Sequence, residues 1–581
     1  MTKLRVPLVG SFNQRGVEGS DDIAAGIDQI FTNVTFDLVR NPITGKGTIY
    51  VEKRPGWGVL SLVEAGSVST GFLRTDTIGS VVSAFGATNS TIYDSTISVG
   101  AITGTALHWG ETIINAIGYI LIRSSDGTGW YYASNAAAQL SYVGDTHTNT
   151  TIDNIASTVG MHSGQAISGT NIVAGTRILS VDSATAITTN TATTGTTAGV
   201  TITKTPIAKI LDADFLTTGT AQSGWAEMDG YVFYVNEDGY LYHSDLNSII
   251  AWTATNKIAV NMAPDLPLAI GRHKNLILVN GQGSIEPFHN AGNASGSVLS
   301  RSEEYFTKVG IQNQRSMAAL KDDIYFVAST KDGDISVQRL RNLQATPVST
   351  PQVNRILGTA SSTSANIYLS AFELGGYSWV SAIATGTSGS MQLENDDFVL
   401  LENGDNILLE LDESVATSFD AMLMYNADLN IWCRWDNTLM TFIRGLGAGS
   451  LNQIATTSRI NTSGKIYLIN PSGDDELYRD DGSDFTVTIQ TSAFDLNEPR
   501  RKFIHRVSWV GDVQTAGTVD LYKSDNDFET WELLGTLDLT QNAPFIAGCG
   551  SHRGNRAYKL VKTDNYALRG QALDIEYEVA A

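Results

Sequence analysis

Three pairs of neighbouring carboxylates, Asp396/Asp397, Asp474/Asp475 and Asp480/Asp481, are the residues of this 581-residue sequence best placed for chemistry. Adjacent acids can share a proton as an acid/base pair or offer oxygen ligands to calcium. Asp525, Asp527 and Glu529 alternate as calcium ligands do, but the glycine and the distal glutamate of an EF-hand loop are missing. All of these acids lie in stretches rich in turn-forming residues, where solvated turns are the simpler reading. The eight histidines are scattered singly, and no GxSxG, HExxH, Walker loop or dinucleotide glycine fingerprint occurs. Cys433 and Cys549 lie far apart with no CxxC, which argues against a zinc site or a disulfide framework. No catalytic residue, cofactor or metal is therefore expected, and the sequence reads as that of a structural or binding protein.

The elements that carry these residues are β-hairpins. In residues 229–243 two runs of β-branched and aromatic residues flank Asp238-Gly239, and glycine there tolerates the positive φ that a tight turn needs. The pattern returns at 275–288, 323–337 and 367–380, so that successive starts are 46, 48 and 44 residues apart. One sheet unit per forty-odd residues is the mark of a β-propeller blade. Trp130, Tyr234, Tyr325, Trp379 and Trp432 fall on strands at this spacing, which suits core packing better than sugar stacking.

Residues 1–70 read as an extended lead-in and 71–143 as the first propeller strands. The period breaks between the hairpins at 118 and 229, and the gap holds a stretch, 144–205, rich in Thr, Gly, Ala and Ser. Removing those 62 residues restores a spacing of 49, so they read as a small β domain inserted in a blade loop and forming a peripheral knob. The remaining blades occupy 206–484, with a second insertion, an acidic hairpin, at 388–414. Residues 485–581 switch to longer alternating strands and read as a β-sandwich-like segment that closes or docks the ring. Ser524 to Trp531 resembles the Asp-box turn of several propellers, with Asn526 and Phe528 at its Asp and Gly positions.

Charge is unevenly spread. The net charge is −22, and residues 58–499, with 21 basic and 43 acidic side chains, carry all of it. Such a body repels a phosphate backbone, so nucleic-acid binding by affinity is not expected. The longest apolar run, 113–122, is broken by Asn115 and is too short to span a bilayer, and the start of the chain has no signal-peptide pattern. Membrane insertion is not expected.

Several motifs resemble one family. Arg5-Val6-Pro7-Leu8-Val9-Gly10 with Arg40-Asn41-Pro42 and Lys53-Arg54-Pro55-Gly56, Asp212-Ala213-Asp214-Phe215 ahead of Asp229-Gly230-Tyr231, and Glu286-Pro287-Phe288-His289-Asn290-Ala291-Gly292 look like the tail nozzle, or packaged-DNA stabilisation, proteins of short-tailed, podovirus-like bacteriophages. Tyr425-Asn426 with Asp428, Trp432 and Trp435 is similar to a later blade turn of that family, and Arg500-Arg501-Lys502-Phe503 with His505-Arg506 to its C-terminal strand entry. The likeness covers residues 1–70 and roughly 205–580.

It implies an all-β, six-bladed propeller that forms a homohexameric ring in the virion, assembled in the host cytoplasm. The ring would sit below the portal and its adaptor, or head-completion, protein. It would retain packaged double-stranded DNA without sequence-specific binding, and carry tail fibres or tailspikes and a distal plug or needle. The acids of 388–414 are candidates to line the channel: Glu394, Asp396, Asp397, Glu402, Asp405 and Glu410. Because screening confines charge effects to about 8 Å at physiological salt, only acids at a narrow bore would act on a duplex. Arg500, Arg501, Lys502 and Arg506 are candidates for docking the adaptor. The competing reading is a glycan-binding or sialidase-like glycan-cleaving propeller, which would need exposed aromatics or arginines converging on a carboxylate.

Overall fold

The computed structural model describes residues 2–9, 29–40, 47–62, 70–75, 81–88, 90–137, 139–215, 223–302, 307–329, 335–361, 367–387, 418–436, 441–446, 455–457, 465–469, 478–495, 500–526 and 528–580. The regular structure of the described residues is nearly all β-strand, with one α-helix, Pro351–Ser361.

The hairpins seen in the sequence become the centres of four-stranded antiparallel sheets. Tyr231–Val235 and Tyr240–Ser244 pair about Asp238-Gly239, with Ala226–Met228 inside and Trp252–Ala259 outside. Pro267–His273 to Leu299–Arg301, Met317–Leu320 to Gln344–Pro347, and Ile367–Leu374 to Ile431–Trp435 repeat the arrangement. Two further units precede these, one running from Thr70–Thr75 to Ile97–Ala101 and the other from Ala106–Ile114 to Gly129–Ala133, completed by the long strand Thr197–Lys209. The last unit takes Thr441–Leu446, Ala455–Thr457 and Lys465–Ile469 from late in the chain and its fourth strand, Trp57–Leu62, from the lead-in. The described strands thus form seven blades rather than the six that the resemblance implies. The ring closes where the inner strand of blade 7 pairs in parallel with that of blade 1, Arg444 opposite Phe72.

Strand alternation explains the packing. Trp130, Tyr234, Tyr325 and Trp379 are all buried, because the two faces of each sheet pack against neighbouring blades. Polar side chains stitch blade to blade. Arg123 of blade 2 donates to the Val235 carbonyl (3.1 Å) and to Asn236 Oδ1 (3.0 Å) of blade 3, and its guanidinium covers the Tyr234 ring. His243 Nε2 of blade 3 accepts from Val298 N of blade 4 at 3.2 Å.

The inserted stretch is a closed barrel. Thr197–Lys209 pairs with Ser141–Thr146, which pairs with Thr151–Asp153; the order continues through Ala186–Thr189 and Ile178–Ser183, and an Ala166–Arg177 bridge leads to Gln165–Ser168, which pairs again with Thr197–Lys209. Its core is Tyr142, Ile152, Ile155, Met161, Ile167, Ile178, Ile187, Val200 and Ile202. The same long strand carries Ile207, Ala208 and Lys209 into blade 2, so barrel and blade meet inside one strand.

The C-terminal segment is a sandwich built with the lead-in. One sheet runs Val34–Arg40, Gly47–Lys53, Arg569–Val579, Lys502–Gly511 and Phe545–Ala547, with Thr2–Pro7 also on Arg569–Val579. The facing sheet runs Ile30–Thr32, Val487–Gln490, Ala557–Lys562, Thr518–Ser524 and Glu532–Asp538, and joins blade 6 through a parallel contact of Thr32 with Arg434. Phe36, Val51, Ile489, Val507, Trp509, Leu521, Leu560 and Ile575 fill the space between. In the Asp-box-like turn Asn526 Oδ1 accepts from Thr530 N (3.1 Å), and Phe528 takes φ +72° where that motif has glycine, so the motif serves a hairpin.

Sandwich and propeller meet at Arg54, whose side chain is fully buried. It donates to both carboxylate oxygens of Asp480 (2.9 and 2.6 Å), to Asn33 Oδ1 (2.9 Å) and to the Asp436 carbonyl, and lies 3.8 Å over the Phe485 ring. Asp480 Oδ1 in turn accepts from Trp57 N, the first residue of the strand that completes blade 7. Replacing one partner of such a pair leaves a buried charge uncompensated, a loss of about 3–5 kcal/mol. Arg54→Met is therefore expected to lower the unfolding free energy of the first chemical transition by that order. Arg54→Lys should rescue little of it, because an ammonium cannot span both carboxylate oxygens.

Candidate docking surfaces and the propeller axis

Side chains from several blades meet around the propeller axis. Gln314, ahead of blade 5, accepts from Ile270 N (2.7 Å) and donates to Ile270 O (3.0 Å) of blade 4. Its neighbour Arg315 donates to the Tyr368 hydroxyl of blade 6 at 2.9 Å. Between these groups and Thr70, His108 and Gly224 a cavity of about 60 Å³ remains.

The four basic residues read from the sequence separate into three settings. Lys502 is buried, and its ammonium donates to the carbonyls of Asp495 (2.7 Å) and Gly554 (3.3 Å). It holds loops together and is not available for docking. Arg500 and Arg501 are exposed at the end of the sheet, where Arg500 reaches the Ala580 carbonyl and Arg501 O accepts from Ala580 N. Arg506 lies further along the same strand on the outer face of the sheet, its guanidinium 3.7 Å over the Phe545 ring and its Nε donating to Ser508 Oγ. The acids of the 388–414 hairpin, Glu394, Asp396, Asp397, Glu402, Asp405 and Glu410, lie outside the described residues. Among the described residues no group of three or more His, Cys, Asp or Glu is placed to hold a metal, and no helix is long and apolar enough to cross a membrane. The barrel's stretch 144–205 contains no Phe, Tyr or Trp on which a sugar could stack.

Residues 173–378 match the model of the Phage_stabilise family, described as bacteriophage P22 Gp10, beta-propeller. This stretch is therefore similar to the phage stabilisation family. A comparison with curated proteins finds no match. Among solved structures the chain is similar to Chaetomium thermophilum Raptor, at 10% identity and a TM-score of 0.34, covering 72% of this chain and 29% of that one. It is also similar to the extracellular domain of the hybrid two-component system BT4673 from B. thetaiotaomicron, at 9% identity and a TM-score of 0.33, covering 72% of this chain and 40% of that one. Likenesses this distant say nothing about function.

The stretch matched by the phage stabilisation family runs from the barrel through blades 3, 4 and 5 into blade 6, and the motif residues within it work for the fold. Asp212 caps blade 3 by accepting from Trp252 N (3.0 Å), beside a cluster of Phe215, Trp225, Tyr234 and Trp252. The buried Glu286 accepts from Met262 N (2.8 Å) and Ala263 N (3.3 Å), fixing the connection from blade 3 to blade 4, and pairs with Arg301. Asp229 accepts from the Asn290 amide at 2.8 Å, tying the two blades at their turns. Of the acid pairs singled out in the sequence, Asp480 is bound by Arg54 and Asp481 by Lys465 and the Tyr467 hydroxyl, while Asp396/Asp397 and Asp474/Asp475 lie outside the described residues.

The barrel is held rigidly on blade 2. Lys204 is buried and donates to the carbonyls of Ala136 and Gly160, both at 2.6 Å. The Tyr131 hydroxyl donates to Ser163 O, and a side chain at Gly164 would collide with the backbone of Lys209. Burial pushes the Lys204 ammonium down to about 8, and burial together with Lys204 pushes His162 down to about 4. Between about pH 8 and the ordinary lysine value of 10.5 the unfolded chain keeps a proton that the folded chain has released, so stability rises with pH across that window. Lys53, also lowered to about 8 by burial, acts in the same sense, so the contribution of Lys204 is isolated by difference. The unfolding midpoint of the wild type relative to Lys204→Met is expected to increase from pH 8 to pH 10; a difference that stays flat would show that Lys204 titrates normally.

Proposed function

We propose that the protein is the structural nozzle of a short phage tail, a homohexameric ring that continues the DNA channel below portal and adaptor and helps retain the packaged genome. The observation that carries this reading is the match of residues 173–378 to the phage stabilisation family. An acidic propeller lining such a channel gives passing DNA no phosphate contacts that would hold it, and the protein needs no enzymatic activity for this role. The acids Glu394, Asp396, Asp397, Glu402, Asp405 and Glu410 rim the bore. Arg500 and Arg501, at the end of the sandwich, meet the adaptor ring, and the rigid barrel stands out as the element that fibres or tailspikes grip. A distal plug or needle closes the channel, and the protein's place is in the virion, after assembly in the host cytoplasm.

Class averages of the purified full chain, taken with native mass spectrometry, test the assembly. A six-fold ring with a central hole is the expected result, and a chain that stays monomeric at all concentrations would overturn it. In phage particles, neutralising the six hairpin acids to Asn or Gln is expected to change genome retention or the rate of ejection, measured by release of encapsidated DNA; unchanged release would remove those acids from the bore.

A further inference from the structure

The cavity at the propeller axis, about 60 Å³, is lined by residues of blades 1, 2, 5 and 6 and by those that lead into blades 3 and 5. A single water needs roughly 10–15 Å³ of such space, so the cavity admits more than one water-sized group. Some of its polar side chains are already committed to the fold. Gln314 spends its amide on the Ile270 backbone, and Thr70 Oγ1 donates to Ala106 O at 3.1 Å. Three others are not. Trp109 and Ser370 are 6% and 3% exposed, and Trp109 Nε1 and Ser370 Oγ are buried with no hydrogen-bond partner among the described residues. An indole N–H can only donate, so it needs an acceptor. The half-buried Arg315 gives one donor to the Tyr368 hydroxyl (2.9 Å) and lies 5.3 Å over that ring, and it pairs with no carboxylate among the described residues. No acid is among the described lining residues, in a chain whose net charge is −22. A buried donor left unpaired is costly, and a guanidinium drawn out of water calls for a counter-charge.

We propose that this cavity is a binding site for a small monovalent anion of halide size, held by the Arg315 guanidinium, the Trp109 indole N–H and the Ser370 hydroxyl. The donors set the class of ligand. A metal cation would meet a guanidinium and an indole N–H and no described carboxylate. Water would satisfy the indole and leave the Arg315 charge unanswered. Phosphate or sulfate would bring a second charge to a site with one described cation, and four oxygens to a space of this size. A halide carries one charge and accepts from several donors in any direction. Bound there, it ties blade 2 to blades 5 and 6 across the axis, joining blades that are not neighbours in the ring. The inference does not depend on the nozzle reading.

Two measurements on the full-length chain test it. Crystals soaked in sodium bromide are expected to show an anomalous peak in the cavity, within hydrogen-bond reach of Trp109 Nε1 and Arg315. In solution, urea unfolding is followed as sodium chloride replaces sodium gluconate at constant ionic strength, in the wild type, R315Q and S370A. A ligand that binds only the folded chain lowers the unfolding constant by the factor 1 + [L]/Kd, so chloride at nine times its dissociation constant lowers it about tenfold. The wild type is expected to show that fall and R315Q to lose it, with circular dichroism unchanged because Arg315 is half-buried and forms no ion pair. S370A, which removes one donor of three, is expected to keep a weakened response. A wild type with no bromide peak and no more chloride dependence than R315Q would overturn the inference and leave the cavity to water. A peak that persists in R315Q, with stability equal in the two salts, would overturn it as well, the bromide then being an adventitious ion only. Should R315Q not fold, bromide occupancy in S370A against the wild type decides, and equal occupancy would sink the site. Neither measurement reads ring formation, so the outcome is separate from that of the assembly proposed above.

Discussion

The buried pairing of Arg54 with Asp480 is the constraint on which the architecture depends. Arg54 lies between the last sandwich strand of the lead-in and the strand that completes blade 7, and four of its donors are spent on residues from three distant parts of the chain, the fifth on the Pro55 carbonyl. Asn33 makes the second half of the joint. At φ +59° it turns the lead-in between the two sheets of the sandwich, donates to Thr486 O and accepts from Asp436 N, the residue after blade 6. A bidentate guanidinium suits this position because it fixes direction as well as distance. A hydrophobic replacement could fill the volume, yet would not tell the chain which strand of the lead-in enters the sandwich and which enters the propeller.

A second ionic joint limits how the two bodies can move. Arg569 on the last long strand binds Asp37, Glu52 and Asp512, and Asp37 also accepts from the Tyr377 hydroxyl at the hairpin tip of blade 6. Burial raises the Glu52 carboxyl, and the hydrogen bond from Arg569 opposes that shift. With Arg54 on one side and Arg569 on the other, the sandwich is attached to blades 6 and 7 at two separated points. Two such points resist rotation where one would act as a pivot. That rigidity matters for a protein read as a ring member, because small angular freedom at each copy would accumulate around the ring.

The blades whose strands are consecutive were legible in the sequence. The hairpins at 229, 275, 323 and 367 became blades 3 to 6 because a hairpin is a local event, decided by alternation and a turn glycine. Blade 7 was not legible as a blade. Its outer strand is separated from its partners by some four hundred residues, and pairing across that distance leaves no mark on a local pattern. The extended lead-in was recognised as such, but its strands carry no sign of where they pair; Thr2–Pro7 is assigned only by its register with Arg569–Val579. Lys502 illustrates a different limit. A run of basic residues looks like a solvated cluster, and only the fold shows that alternation turns one of them into the interior, where two carbonyls receive it.

The distribution of charge follows from the same division of labour. Where the two bodies join, the buried Arg54 is answered by Asp480, and the acid excess lies in residues 58–499. In the nozzle we propose, a wall that repels a duplex weakly at every position, with no site that binds it, would leave the energy along its path flat.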